Sequence, residues 1–247
     1  MSQCSDKIDQ ICNLLSGILE ETQAQGFVVG VSGGVDSAVV ASLCCRAVGE
    51  RKVRGIFMPS SVTPQADGED VSALGRVLNL NIATFPIAPF IDQYRQLPGF
   101  VETPYLMGNL MARTRMTILY YAANQDQALV CGTSNRTEYL LGYCTKHGDN
   151  AADIQPIVHL LKSEVWEIAR FLHVPESIIS RPPSAGLWQG QTDEGELGLA
   201  YVDIDAAIRS LDIHGWKPET EIEKQVVARH HSAKHKQVPA YSLPVQR

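Results

Sequence analysis

Gly26–Cys45 reads GFVVGVSGGVDSAVVASLCC. Its opening, Gly26 to Val31, is a short β-branched run between glycines, the pattern of a strand buried on both faces of a parallel sheet. Asp36 to Val48 is apolar on most sides and predicts a buried helix. Between them lies SGGVDS (Ser32–Ser37), at the carboxyl end of a strand and the amino end of a helix. Open α/β sheets bind ligands there. Two glycines let backbone N–H groups turn inward as an anion nest, and the helix terminus adds partial positive charge. Ser32 and Ser37 supply hydroxyl donors. Asp36 would repel a phosphate unless Mg²⁺ stood between them. The loop is neither a Walker A loop nor a dinucleotide fingerprint, and a plain glycine turn with Ser32 or Asp36 as N-cap remains the alternative.

Outward from this unit the pattern repeats. Asp6 to Ala24 predicts an amphipathic helix. Val53 to Met58, Ile82 to Ile87 and Ala128 to Cys131 predict strands, and Asp67 to Leu78 and Gly108 to Asn124 predict helices. Leu110, Met111, Thr114, Ile118, Tyr121 and Ala122 form the expected buried stripe of the last helix. After Gly132 helices are predicted at Lys162–His173, Ser177–Ser180, Glu194–Ser210 and Pro218–His231, with a Pro- and Gly-rich loop from Arg181 to Gly190. Strands alternating with helices give an α/β fold, a doubly wound parallel sheet with helices on both faces. No linker divides the chain, so residues 1–247 are read as a single domain.

Composition closes off other classes. The chain has 247 residues, 45% of them hydrophobic and 19% charged, which excludes a disordered or coiled-coil protein. No apolar run reaches the roughly 18 residues of a membrane span. The N-terminal MSQCSDKIDQ has neither the basic nor the apolar region of a signal peptide, so a cytoplasmic location is expected. Six cysteines without CxxC spacing read as reduced thiols. A net charge of −6 argues against binding nucleic acid through bulk positive charge. The charge is uneven: Lys224 to Arg247 holds five basic residues and no acid. That basic end is either a solvated tail or a cover for an anionic ligand.

A second polar cluster, GTSNRTEYLLGYCTKHGDNAAD (Gly132–Asp153), follows the fourth predicted strand and so faces the same edge as SGGVDS. It is either a solvated surface or a site in which Glu138 and Asp149 offer carboxylates to Mg²⁺ and Lys146 pairs with an anion. SGGVDS is similar to the SGGxDS loop of the ATP pyrophosphatases, which cleave ATP between its α and β phosphates. The string GTxxxxExxxGYxTKxGDxxxD resembles the NAD synthetase family. NLMARTRM (Asn109–Met116), LKSEVWEIARFLHVP (Leu161–Pro175), PSAGLWQGQTDEGELG (Pro183–Gly198) and HKQVP (His235–Pro239) follow in that family's order. The sequence departs from the family at Cys144, where Phe is frequent, at Asn150 and Ala151, where glycines are, and at Ser184, where Thr is common.

The resemblance implies an adenine nucleotide alpha hydrolase-like, Rossmann-like fold and an AMP-forming ligase that amidates deamido-NAD. Gly30, Val31, Ser32, Gly33, Gly34, Val35, Asp36 and Ser37 would cradle the ATP phosphates, with Thr133, Lys162 and Ser184 also on ATP. Asp36 and Glu138 would bind Mg²⁺. Arg113, Lys146, Asp153, His235 and Lys236 would contact deamido-NAD. Asp149, Lys162 and Asp36 would form the catalytic set. The residues themselves add two points. Arg113 falls on the flank of its helix, free for an anion, and Lys162 opens a helix, where the dipole disfavours a cation unless an anion lies near. An amidotransferase domain for glutamine does not fit in this length, so ammonia is the expected nitrogen source. A homodimer with the dinucleotide at the interface is expected, with Leu119, Tyr120 and Tyr121 as surplus apolar surface. Lys234, His235 and Lys236 are expected in a loop that closes over the bound dinucleotide, with Ser232 to Pro239 mobile until then. Rival readings are another ligase of the superfamily, acting on xanthosine monophosphate or tRNA, and a nucleotide sensor without turnover.

Overall fold

The computed structural model describes residues 2–188, 190–238 and 242. Four parallel strands, β1 (Phe27–Gly30), β2 (Val53–Phe57), β3 (Ile82–Thr84) and β4 (Leu129–Cys131), lie in the order β3-β2-β1-β4. Phe27 pairs with Val53 on one side and with Leu129 on the other. The chain winds outward from β1 to β3 and then returns to place β4 on the far side of β1. The order therefore reverses between β1 and β4, which opens a crevice at their carboxyl ends.

Both faces of the sheet are covered. Phe27, Val29 and Val31 face a core shared with α1 (Ser2–Thr22), α2 (Val35–Val48) and α7 (Lys162–Phe171). Val28, Ile56 and Val130 face the opposite core, built from α4 (Ala88–Tyr94) and the long α5 (Pro104–Asp126). This alternation is the period of a strand buried on both sides. A third cluster joins α6 (Arg136–Leu141), α10 (Tyr201–Ile213) and α11 (Glu221–Gln237) around Tyr201, Ile204, Ile208 and Val226. The remaining helices are α3 (Gln65–Leu78), α8 (Glu176–Ile179) and α9 (Asp193–Leu197).

Several expectations need correction. The helix expected over Glu194–Ser210 is two helices, α9 and α10, separated at Gly198. Tyr121 does not belong to the buried stripe of α5: it is 71% exposed, whereas Met107, Met111, Ala112, Thr114 and Ala122 are buried. Lys234, His235 and Lys236 are not in a loop. Helix α11 runs on through Gln237, because no breaker interrupts it and Lys234 and Lys236 in its last turn complement the helix dipole. Of the segment expected to be mobile, Ser232 to Gln237 is helical, and Pro239 lies outside the described residues.

Candidate active site

The SGGVDS loop folds on its own hydroxyls. The Ser37 hydroxyl donates to the Gly34 carbonyl (3.0 Å) and accepts from the Ser32 amide (3.1 Å). The Gly34 amide in turn donates to the Ser32 hydroxyl (3.3 Å). Gly33 has φ +89°, and a Cβ on it would lie 3.1 Å from the backbone of Asp67 on α3. The loop is thus wedged against α3 in a conformation suited to glycine. Gly34 is the N-cap of α2 and brings no side-chain cap, so the amino end of that 14-residue helix keeps its donors for a ligand.

Across the crevice stands α6, begun by a capping box in which Asn135 and Glu138 exchange bonds with each other's backbone. The Asn135 amide also donates to Asp36 Oδ1 (2.8 Å), which ties the start of α6 to the start of α2. Between them lies Lys162, 2% exposed. Its ammonium donates to Asp36 Oδ2 (2.5 Å) and to Glu138 Oε1 (3.1 Å). Asp205 on α10 fixes the backbone that carries it. Asp205 accepts from Ser163 N (2.8 Å) and from the Thr137 hydroxyl (2.6 Å), and that hydroxyl accepts from Lys162 N (3.0 Å). Burial works against the Lys162 charge, yet Asp36 and Glu138 hold its pKa above the ordinary lysine value. Burial pushes Glu138 up to about 8 against the pull of Lys162, with Asp36 and Asp193 adding to the rise. Asp193 is raised by burial as well.

Two carboxylates therefore hold one ammonium, both with hard oxygen donors, and Asp193 adds negative charge nearby. Asp36 and Glu138 converge on one point beside the phosphate loop, and the negative excess suits a divalent cation. Mg²⁺ is commonly held by one or two carboxylates together with substrate phosphates. Among the described residues no three His, Cys, Asp or Glu side chains form a metal cage of their own.

Of the residues implied for the dinucleotide, Arg113, Lys146 and His235 are linked in a chain of hydrogen bonds, Lys236 is tied to the loop before Lys146, and Asp153 stands apart from them beside β4. Arg113 is exposed and donates to the Lys146 carbonyl (3.1 Å from Nη2). Lys146 Nζ donates to the His235 carbonyl (2.7 Å). Lys236 Nζ donates to the carbonyls of Gly142 (2.8 Å) and Cys144 (2.7 Å). Asp149 accepts from Thr145 N (2.8 Å), and burial raises its carboxyl pKa. Asp153 accepts from Val130 N (2.8 Å), which sets it beside the middle of β4. Gly142 ends α6 at φ +62°, and a Cβ there would meet Ala233 of α11 at 2.1 Å, so α11 lies directly over this loop.

A family model described as NAD synthase matches residues 7–240. The chain belongs to the NAD synthase family. An NH(3)-dependent NAD(+) synthetase of Methanoregula boonei is 51% identical over 96% of each chain. Among solved structures, an NMN synthetase from Francisella tularensis superposes with a TM-score of 0.90 at 35% identity, covering 98% of this chain and 99% of that one. An NH3-dependent NAD synthetase from Campylobacter jejuni, in complex with nitrate, gives 0.83 at 30% identity over the same shares.

The structure brings Asp36, Glu138 and Lys162 into direct contact. Gly30 to Ser37 and Thr133 lie at or just after the carboxyl ends of β1 and β4. Ser184 sits in the loop before α9, where its hydroxyl donates to the Gln191 carbonyl (2.8 Å). Sequence reasoning missed Asn135, Asp193, Tyr201 and Asp205. Asn135 carried a readable signal, the Asn-x-x-Glu spacing of a capping box. Asn150, where the family often has glycine, accepts from His147 N (2.8 Å) and donates to the Lys236 carbonyl (3.2 Å), bonds that glycine cannot make.

Proposed function

We propose that residues 1–247 form one ATP pyrophosphatase-type domain that converts deamido-NAD to NAD with ammonia. A carboxylate is a poor acyl donor because oxide is a poor leaving group. Attack of the deamido-NAD carboxylate on the α-phosphorus of ATP gives an acyl-adenylate and pyrophosphate. Ammonia then displaces AMP and leaves the amide. The α2 terminus and the SGGVDS amides bind the departing phosphates, and Lys162 faces the charge that develops there. Asp36 and Glu138 would hold Mg²⁺, which when bound neutralises charge on the phosphates. Thr133 and Ser184 are read as ATP contacts, and Asp149 as the carboxylate nearest the reacting acyl group. Arg113, Lys146, Asp153, His235 and Lys236 are read as the dinucleotide contacts.

The observation that carries this reading is the buried Lys162 ammonium held by Asp36 and Glu138 beside the phosphate loop. The names of the curated relatives support ammonia as the nitrogen donor. No helix among the described residues is long and apolar enough to cross a membrane, and all six cysteines are unpaired, which supports a cytoplasmic location. We also infer a homodimer, which the exposed aromatics of α5 support.

ATP, Mg²⁺, ammonium and deamido-NAD, with NAD read by a coupled dehydrogenase, test the activity. The account expects NAD with equal AMP. Parallel tubes contain nicotinic acid mononucleotide, the carboxylate counterpart of NMN, and xanthosine monophosphate. A higher kcat/KM with either one overturns the assignment of deamido-NAD, and binding of ATP without AMP formation favours a sensor.

A further inference from the structure

Lys162 has a third neighbour that the reaction scheme leaves unused. Its ammonium lies 5.0 Å from the ring centroid of Tyr201, a fully buried side chain at the start of α10. The Trp166 ring, one turn after Lys162 on α7, meets the Tyr201 ring edge-on at 6.2 Å and 88°. Helix α7 thus grips Tyr201 from two points, with Lys162 over its face and Trp166 at right angles to its plane. The Tyr201 hydroxyl donates to Asp193 Oδ2 (3.0 Å). Asp193 is 4% exposed, takes a second bond from the Tyr143 hydroxyl (3.1 Å), and pairs with no cation among the described residues.

A buried carboxylate with two phenol donors and no cation of its own is costly unless its charge acts on something nearby. The cation its charge acts on is Lys162, which is in turn seated over the ring that Asp193 holds. We propose that Tyr201 and Asp193 are positioning residues for Lys162: the ring face seats the ammonium and the carboxylate behind it fixes the ring. This rests on Lys162 being the cation that faces the phosphates. The need is physical. When a nucleotide and its cation engage Asp36 and Glu138, the four-carbon stem of Lys162 loses its two ionic tethers. A desolvated aromatic face still holds an ammonium, because the ring quadrupole is not titrated or displaced by phosphate. Asp193 is also the first residue of α9, at the end of the loop that carries Ser184. The same carboxylate therefore links that loop to the lysine.

The variants Tyr201→Phe, Tyr201→Leu and Asp193→Asn test this. Two readouts are needed: steady-state kinetics per folded protein, and the Lys162 ε-methylene proton shifts by NMR in the ligand-free protein. Seating on the ring predicts upfield ε-methylene shifts in the wild type and in Tyr201→Phe, and their loss in Tyr201→Leu. Tyr201→Leu should lower kcat by about 10-fold or more, and Tyr201→Phe, which keeps the ring face but loses its bond to Asp193, should lower it less than Tyr201→Leu and by no more than Asp193→Asn does. Asp193→Asn should lower kcat by about 10-fold, with the KM for deamido-NAD within about twofold of wild type and pyrophosphate release slowed in parallel. If Tyr201→Leu does not fold, the Phe and Asn variants still decide. Normal ε-methylene shifts in the wild type, or a kcat in Asp193→Asn equal to wild type, overturn the proposal. Upfield shifts in a wild-type protein that makes no NAD would strike the functional reading and leave the seating supported.

Discussion

Asp36 is the residue on which the site turns. Its two carboxylate oxygens are divided between Asn135 and Lys162, so one side chain joins the starts of α2, α6 and α7. Removing a partner from a buried ion pair leaves an uncompensated charge and destabilises more than the pair contributed. Isosteric neutralisation avoids most of that, because Asn and Gln keep the shape and hydrogen bonds. Asp36→Asn and Glu138→Gln are therefore expected to remain folded and to lose about 10²-fold or more in kcat. Circular dichroism and steady-state kinetics check this. Activity within a few-fold of wild type in both would remove the carboxylates from the machinery. Lys162 was legible in the sequence as a cation at an unfavourable helix start. Tyr201 and Asp193 were not, because an aromatic at an apolar position and an acid after a threonine look like core and N-cap.

At the scale of elements, the phosphate loop is held by conformation. Gly33→Ala would place a Cβ at φ +89° and 3.1 Å from Asp67. A non-glycine residue in such a region costs about 1–3 kcal/mol, and the clash with α3 adds to it. The variant should melt lower and bind ATP more weakly, as calorimetry would read; an unchanged ATP affinity would mean that the loop does not cradle phosphate. Helix α11 begins where Thr220 and Glu223 form a capping box, three residues later than its apolar pattern suggests. The Ser210 hydroxyl and the amides of Thr220 and Glu219 pull Glu223 down to about 2 from its ordinary 4.5. A depressed carboxyl stabilises the fold above its unfolded pKa, and that contribution is lost as pH falls from about 4.5 to 2. Glu223→Gln should therefore melt below wild type at neutral pH and converge with it near pH 2. A constant gap across a melting series from pH 7 to 2 would contradict this. The long periodic helices were readable. Helices α4 and α6 were not, because Pro89 stands in the first turn of α4 and α6 opens in the polar run of the second cluster.

Over the whole molecule the sheet order could be foreseen only in kind. Alternating strands and helices imply parallel pairing, but which strand lies beside β1 is fixed by crossovers that leave no mark in any one segment. The reversal between β1 and β4 brings residues 32–37 and 133–138 together, and the basic end of α11 is tied to the loop after α6, with Lys236 donating to loop carbonyls and Lys146 of the loop donating back to the His235 carbonyl. Helix α5 leaves Tyr121 (71% exposed) uncovered along its length and Tyr105 (74%) uncovered in its first turn, while Leu119 and Tyr120 pack partly against the core. Aromatic surface of this kind suits a two-fold contact. Sedimentation at micromolar concentration should give a dimer that Tyr121→Glu weakens; a fully active monomer would contradict it.

The central claim is that this crevice activates a carboxylate by joining it to AMP. Deamido-NAD labelled with ¹⁸O in both carboxylate oxygens, turned over with ATP and ammonia, tests it directly by mass spectrometry of the products. The account predicts one ¹⁸O in AMP and the other in the amide carbonyl of NAD. AMP without label would mean that the carboxylate oxygen never attacked the α-phosphorus, and the acyl-adenylate route would be wrong.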